Sequence, residues 1–66
     1  MKLTINGEPG EAPAGATVAQ VVSTVTGQPS GVAAAVNGEI VPRHAWPTTA
    51  LQAGDQVEVV TAVQGG

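Results

Sequence analysis

The sequence has no cysteine, no phenylalanine and no tyrosine, and its only positively charged residues are Lys2 and Arg43. Without cysteine there is neither a disulfide framework nor a thiolate metal site, and the lone His44 has no second His or Cys with which to share a metal. Set against five carboxylates, the two cations leave a formal net charge of -3. That balance argues against nucleic acid, whose phosphates must be neutralised by several Lys or Arg, and suits a partner with a basic docking patch. No apolar run approaches the roughly 20 residues needed to cross a bilayer, and the start has no signal-peptide pattern. The expectation is a soluble, cytoplasmic protein with no membrane partner. Glu8, Glu11, Glu39 and Asp55 form no pair whose spacing fits acid–base work, so no catalytic set stands out.

At 66 residues the chain is one domain. A domain of this size buries only roughly 60% of the surface its unfolded chain exposes, which leaves little room for an internal active site. The apolar residues are mostly Val and Ala, and such a core of small, stiff side chains favours strands.

Met1 to Asn6 alternates, with Leu3 and Ile5 pointing one way and Lys2, Thr4 and Asn6 the other, as in a half-buried strand. Asn6-Gly7 supplies the positive φ angles of a hairpin turn. Glu8 to Ala12 returns as a short edge strand, since Pro9 and Gly10 interrupt it. Thr17-Val18-Ala19-Gln20 fits a capping box. Behind it Val18, Val21, Val22 and Val25 share one helical face, and Gly27 and Pro29 end the helix. Val32 to Val36 is a strand with Val32, Ala34 and Val36 on its buried side. Asn37-Gly38 turns it into Glu39-Ile40-Val41, and Pro42 stops that strand. Arg43 to Thr49 connects, with Trp46 as a lid over the core edge, Arg43 fixing the loop and His44 on the surface. Leu51 is expected to plug the core. After the turn at Ala53-Gly54-Asp55-Gln56 comes the last strand, Val57 to Val63.

The order is hairpin, helix, hairpin, final strand. It predicts an α+β domain with a mixed sheet of about five strands, the first and last side by side and parallel at its centre, and one main helix across one face. This resembles the β-grasp, or ubiquitin-like, architecture. We expect residues 1–62 to form that domain and residues 63–66 a flexible tail ending in Gly-Gly.

The tail carries the most distinctive chemistry. Gly65 and Gly66 follow the last strand after Gln64 alone, and glycine, lacking Cβ, can thread a channel closed to other residues. The carboxylate at Gly66 is unhindered toward attack on a nucleoside triphosphate. On the strand before it, Val60 and Ala62 are apolar yet point away from the helix; they are either scattered exposure or a small docking patch. Glu58 lies within that patch, either solvated or pairing with a basic partner residue. Gln64 and Val63, with Gly65, complete the expected partner-binding stretch.

The Asn6-Gly7 turn, the run Ala35-Val36-Asn37-Gly38-Glu39-Ile40-Val41-Pro42-Arg43, Trp46, Leu51, Gly54-Asp55-Gln56-Val57-Glu58-Val59 and the closing Gly65-Gly66 resemble the ThiS family of sulfur carriers in thiamin biosynthesis. The resemblance spans the whole chain. It departs at Gln64, where many members have Gly, and at Val21 and Val22, where Leu is usual. It implies a protein that is not an enzyme and binds no cofactor. An E1-like adenylating enzyme would use ATP to activate the Gly66 carboxylate. Sulfur from a persulfide, supplied indirectly by a cysteine desulfurase or another source, would replace AMP, and thiazole synthase would take up the resulting thiocarboxylate sulfur. A carrier of the molybdopterin-synthase type, a protein modifier, and a ubiquitin-like interaction module with an inert end are the other readings.

Overall fold

The computed structural model describes residues 1–27 and 31–61. Its elements follow the order β1 (Lys2–Ile5), β2 (Glu8–Glu11), α1 (Val18–Val25), β3 (Val32–Val36), β4 (Glu39–Val41), a 3₁₀ segment (Arg43–Thr48) and β5 (Gln56–Thr61). The strands form one five-stranded sheet in the order β2-β1-β5-β3-β4. β1 and β5 run parallel, with Ile5 opposite Val57, and the other neighbours are antiparallel. β5 therefore lies in the middle of the sheet, as the sequence predicts.

Both Asn-Gly turns take the expected form. Asn6 and Gly7 have φ of 54° and 81°, and Asn37 and Gly38 have 53° and 87°. Such left-handed pairs match the twist of the strands they join. Pro9 is accommodated because the ladder bonds on β2 fall on the even positions: the Ala12 N–H donates to the Met1 carbonyl. Pro9, opposite Thr4, therefore has its missing N–H on the outer edge of the sheet.

Helix α1 begins in the predicted capping box. The Gln20 N–H donates to Thr17 Oγ1 at 3.3 Å, and the Thr17 N–H donates to Gln20 Oε1 at 2.8 Å. The other end differs from expectation. The helix stops at Val25, with Thr26 extended at φ -144° as its cap, and Gly27 is not among the glycines of positive φ. A β-branched residue in extended conformation breaks the helix here, so no left-handed glycine is used. Ending there also leaves Val25 half exposed, although it continues the apolar stripe.

The core lies between α1 and one face of the sheet. Val18, Val21 and Val22 pack with Leu3, Val57, Val59, Ala34, Leu51 and Trp46. Trp46 is buried rather than laid over the edge, and its Nε1–H donates to the Val41 carbonyl at 2.9 Å. The Arg43 guanidinium stands over its ring, 5.1 Å from the centroid, in keeping with a loop-fixing role. Leu51 plugs the core as expected, and its N–H donates to the Ala16 carbonyl. Where the sequence predicts Val32, Ala34 and Val36 as the buried side of β3, Ala34 is buried and the two valines are half-buried.

Candidate functional site: the open face and outgoing end of β5

Every feature expected to carry chemistry lies on β5 or beyond it. Strand β5 is anchored at its entry by Asn37, whose Oδ1 accepts from the Gln56 N–H at 2.9 Å while its Nδ2 donates to Asp55 Oδ1 at 3.1 Å. Further along, Asn6 Oδ1 accepts from the Val59 N–H at 2.8 Å. Each turn residue thus uses its side chain to fix the central strand. Sequence reasoning assigned these asparagines only their backbone role.

Pairing fixes which side chains share the uncovered face. Glu58 lies opposite Ala35, and Val60 opposite Ala33. Ala35 in turn lies opposite Ile40. Cross-strand partners point to the same side, so Glu58, Val60, Ala33, Ala35 and Ile40 form one surface on the face away from α1. Val60 is 57% exposed and Ile40 72%. Between Glu58 and Ile40, Ala35 is nevertheless buried, because a methyl group is covered by two longer neighbours. The structure therefore brings two expected site residues, Val60 and Glu58, onto one surface and adds Ile40. That residue was legible: a two-residue Asn37-Gly38 turn sets Ile40 across from Ala35, one step off the core-facing Ala34.

Ala62, Val63, Gln64, Gly65 and Gly66 lie outside the described residues, as does the boundary expected at residue 62. β5 begins one residue before the expected Val57, at Gln56, where Asn37 holds the backbone. On the helix side, a cavity of about 340 Å³ is lined by residues including Ile5, Ala12, Ala16 and Val21. Among the described residues no group of three or more His, Asp or Glu could hold a metal ion. No helix there is long and apolar enough to cross a membrane.

Comparison with known proteins adds what geometry leaves open. The sequence pattern of the ThiS family matches residues 3–66, a span that includes the diglycine. The sulfur carrier protein ThiS of Escherichia coli K12 is 32% identical over 66 residues, all of both chains. A thiazole synthase of Magnetococcus marinus MC-1 is 38% identical over 66 residues, and the chain spans only 20% of that protein's length. The crystal structure of the thiamine biosynthesis protein ThiS from Geobacter metallireducens superposes with a TM-score of 0.86 at 32% identity, covering all of both chains. A solution structure of a thiamine biosynthesis protein from the same organism superposes with a TM-score of 0.78, the match covering 88% of it. With its β-grasp sheet crossed by α1 and a family match reaching to residue 66, the chain belongs to the ThiS family.

Proposed function

We propose that this chain carries sulfur for the thiazole ring of thiamine on the carbonyl carbon of Gly66. The observation that supports this reading best is the reach of the family match, which runs through Gly65 and Gly66. A carboxylate is a poor acyl donor, so activation comes first. One carboxylate oxygen of Gly66 attacks the α-phosphorus of ATP in an adenylating enzyme, and pyrophosphate leaves. The terminal sulfur of a protein persulfide, charged by a cysteine desulfurase or another donor, then attacks the carbonyl, and AMP leaves. A thiol cleaves the resulting acyl disulfide, freeing a thiocarboxylate and forming a disulfide on the enzyme side. Thiazole synthase is the acceptor of that sulfur, and the cycle runs in the cytoplasm, where ATP is supplied.

The chain's own contribution is binding and placement. Ile40 and Val60 give partners an apolar surface beside the outgoing strand, with Ala62 beyond it and Glu58 placed to meet a basic residue. Val63, Gln64 and Gly65 lead from there to Gly66. Ordering a backbone residue costs about 1–2 kcal/mol, and more for glycine, so docking of the globular body must offset the straightening of the tail.

Incubation with the adenylating enzyme, ATP and a persulfide donor tests this by intact mass spectrometry. The expected result is exchange of one terminal oxygen for sulfur. An unchanged mass with an enzyme shown to load another carrier would contradict it, and covalent adducts with other proteins would point to a modifier instead.

A further inference from the structure

The chain has two asparagines, Asn6 and Asn37, and each is followed by glycine. An asparagine in that setting can lose its side-chain amide without an enzyme. The backbone nitrogen of the glycine gives its proton to solvent base and attacks the asparagine Cγ. A Cγ–N bond closes a succinimide ring, the Cγ–Nδ2 bond breaks, and Nδ2 leaves as ammonia with a proton from water. Water then opens the ring at one of its two carbonyls, giving aspartate or isoaspartate. Glycine favours closure because no Cβ crowds the attacking nitrogen. The preceding residues, Ile5 and Val36, are both β-branched, so local sequence does not separate the two sites.

The structure does separate them. Both asparagines are exposed and left-handed, and a Cβ added at Gly7 or Gly38 would meet no atom within 4 Å, so both sites are open to solvent. Their side-chain bonds differ. Asn6 Oδ1 accepts from the Val59 N–H at 2.8 Å, and among the described residues nothing accepts from Asn6 Nδ2. Asn37 is held at both ends: its Oδ1 accepts from the Gln56 N–H at 2.9 Å, and its Nδ2 donates to Asp55 Oδ1 at 3.1 Å. Asp55 is itself fixed, since its Oδ2 accepts from the Gln52 N–H at 2.8 Å. Ring closure requires the side chain to turn until Cγ meets the glycine nitrogen, so it must release its partners. Asn37 releases one bond more than Asn6, and that bond is to a carboxylate. The same carboxylate repels the negative charge that gathers at Cγ during attack.

We propose that Asn6-Gly7 is the chain's site of spontaneous deamidation, and that Asp55 protects Asn37-Gly38 from the same reaction. The product at position 6 bears on β5. Aspartate keeps an oxygen for the Val59 N–H. Isoaspartate routes the main chain through the former side chain, adds a methylene to a two-residue turn and displaces that oxygen, so it loosens the hold on the central strand.

The test incubates the parent chain in mildly alkaline buffer, once folded and once in urea. Fragmentation mass spectrometry then distinguishes asparagine, aspartate and isoaspartate at positions 6 and 37. In the folded chain Asn6 is expected to convert about tenfold faster than Asn37, the size of one charge-assisted hydrogen bond. In urea the two rates should agree within about twofold, because neither side chain keeps its partners. Asp55→Ala should bring Asn37 close to the rate of Asn6 while Asn6 keeps its own. Equal rates in the folded parent, or a faster Asn37, overturn the proposal, and so does a gap that persists in urea. An Asn37 that stays slow in Asp55→Ala overturns the protective role of Asp55. The comparison on the parent stands whether or not Asp55→Ala stays folded.

Discussion

Val57 and Val59 lie against α1 almost without exposure, whereas Val60, the next residue along the same strand, stands more than half exposed. One β-branched residue type on one strand therefore meets two different demands. On the covered face valine fills a core with no Phe or Tyr to spare, so each methyl group counts. On the open face valine adds nothing to the core, and with Ile40 it builds an apolar surface beside the outgoing chain. The lesson concerns division of labour in a small sheet: one face holds the fold together, and the other leaves apolar side chains uncovered.

Substitutions on the two faces should separate accordingly. A 66-residue domain has a total stability of about 3–10 kcal/mol. Trp46→Ala should cost about 3–5 kcal/mol, because it opens a cavity and leaves the Val41 carbonyl without its donor. Urea unfolding would then begin at or near zero denaturant, and a cooperative transition at the parent midpoint would show that Trp46 is not part of the core. Val57→Ala should cost about 2–3 kcal/mol, while Val60→Ala should stay within about 0.5 kcal/mol. Equal costs at the two positions would erase the contrast between the faces.

The turns sharpen the comparison at smaller scale. Asn6→Ala loses both the bond to the Val59 N–H and a residue suited to positive φ, for about 1–2 kcal/mol together. Asn6→Gly keeps the turn and should lose only the bond, about 1 kcal/mol. If the two variants unfold alike, the side-chain bond carries the effect and the turn conformation carries none. Smallest of all in stability is Ile40→Ser, within about 0.5 kcal/mol, yet it should slow sulfur loading by the adenylating enzyme. Unaltered loading would show that the patch beside β5 is ordinary exposed apolar surface.

Much of this was legible in the sequence because local rules and the fold agree. Alternation in Met1–Asn6, two Asn-Gly turns, and a Thr17–Gln20 capping box before a valine stripe place the elements almost to the residue. The helix end was less legible: a glycine after an apolar stripe reads as a left-handed stop, but Thr26 stops the chain one residue earlier by extending. Ile40 was passed over because β4 was read for its boundaries and not for its register across Ala35. The unequal lengths of the two ladders on β5, which reach Val57 on one side and Thr61 on the other, could not be read at all, since they depend on where two separate strands end. The same holds for the bonds from Asn6 and Asn37 to β5, which join residues far apart in the chain.

The division into a passive body and a reactive tip is tested most directly by deleting Gly66 and measuring two things on one sample. We expect no sulfur on the shortened chain after exposure to ATP, adenylating enzyme and persulfide donor, and a urea transition that overlays that of the parent. Sulfur acquired by the chain without Gly66 would contradict the account.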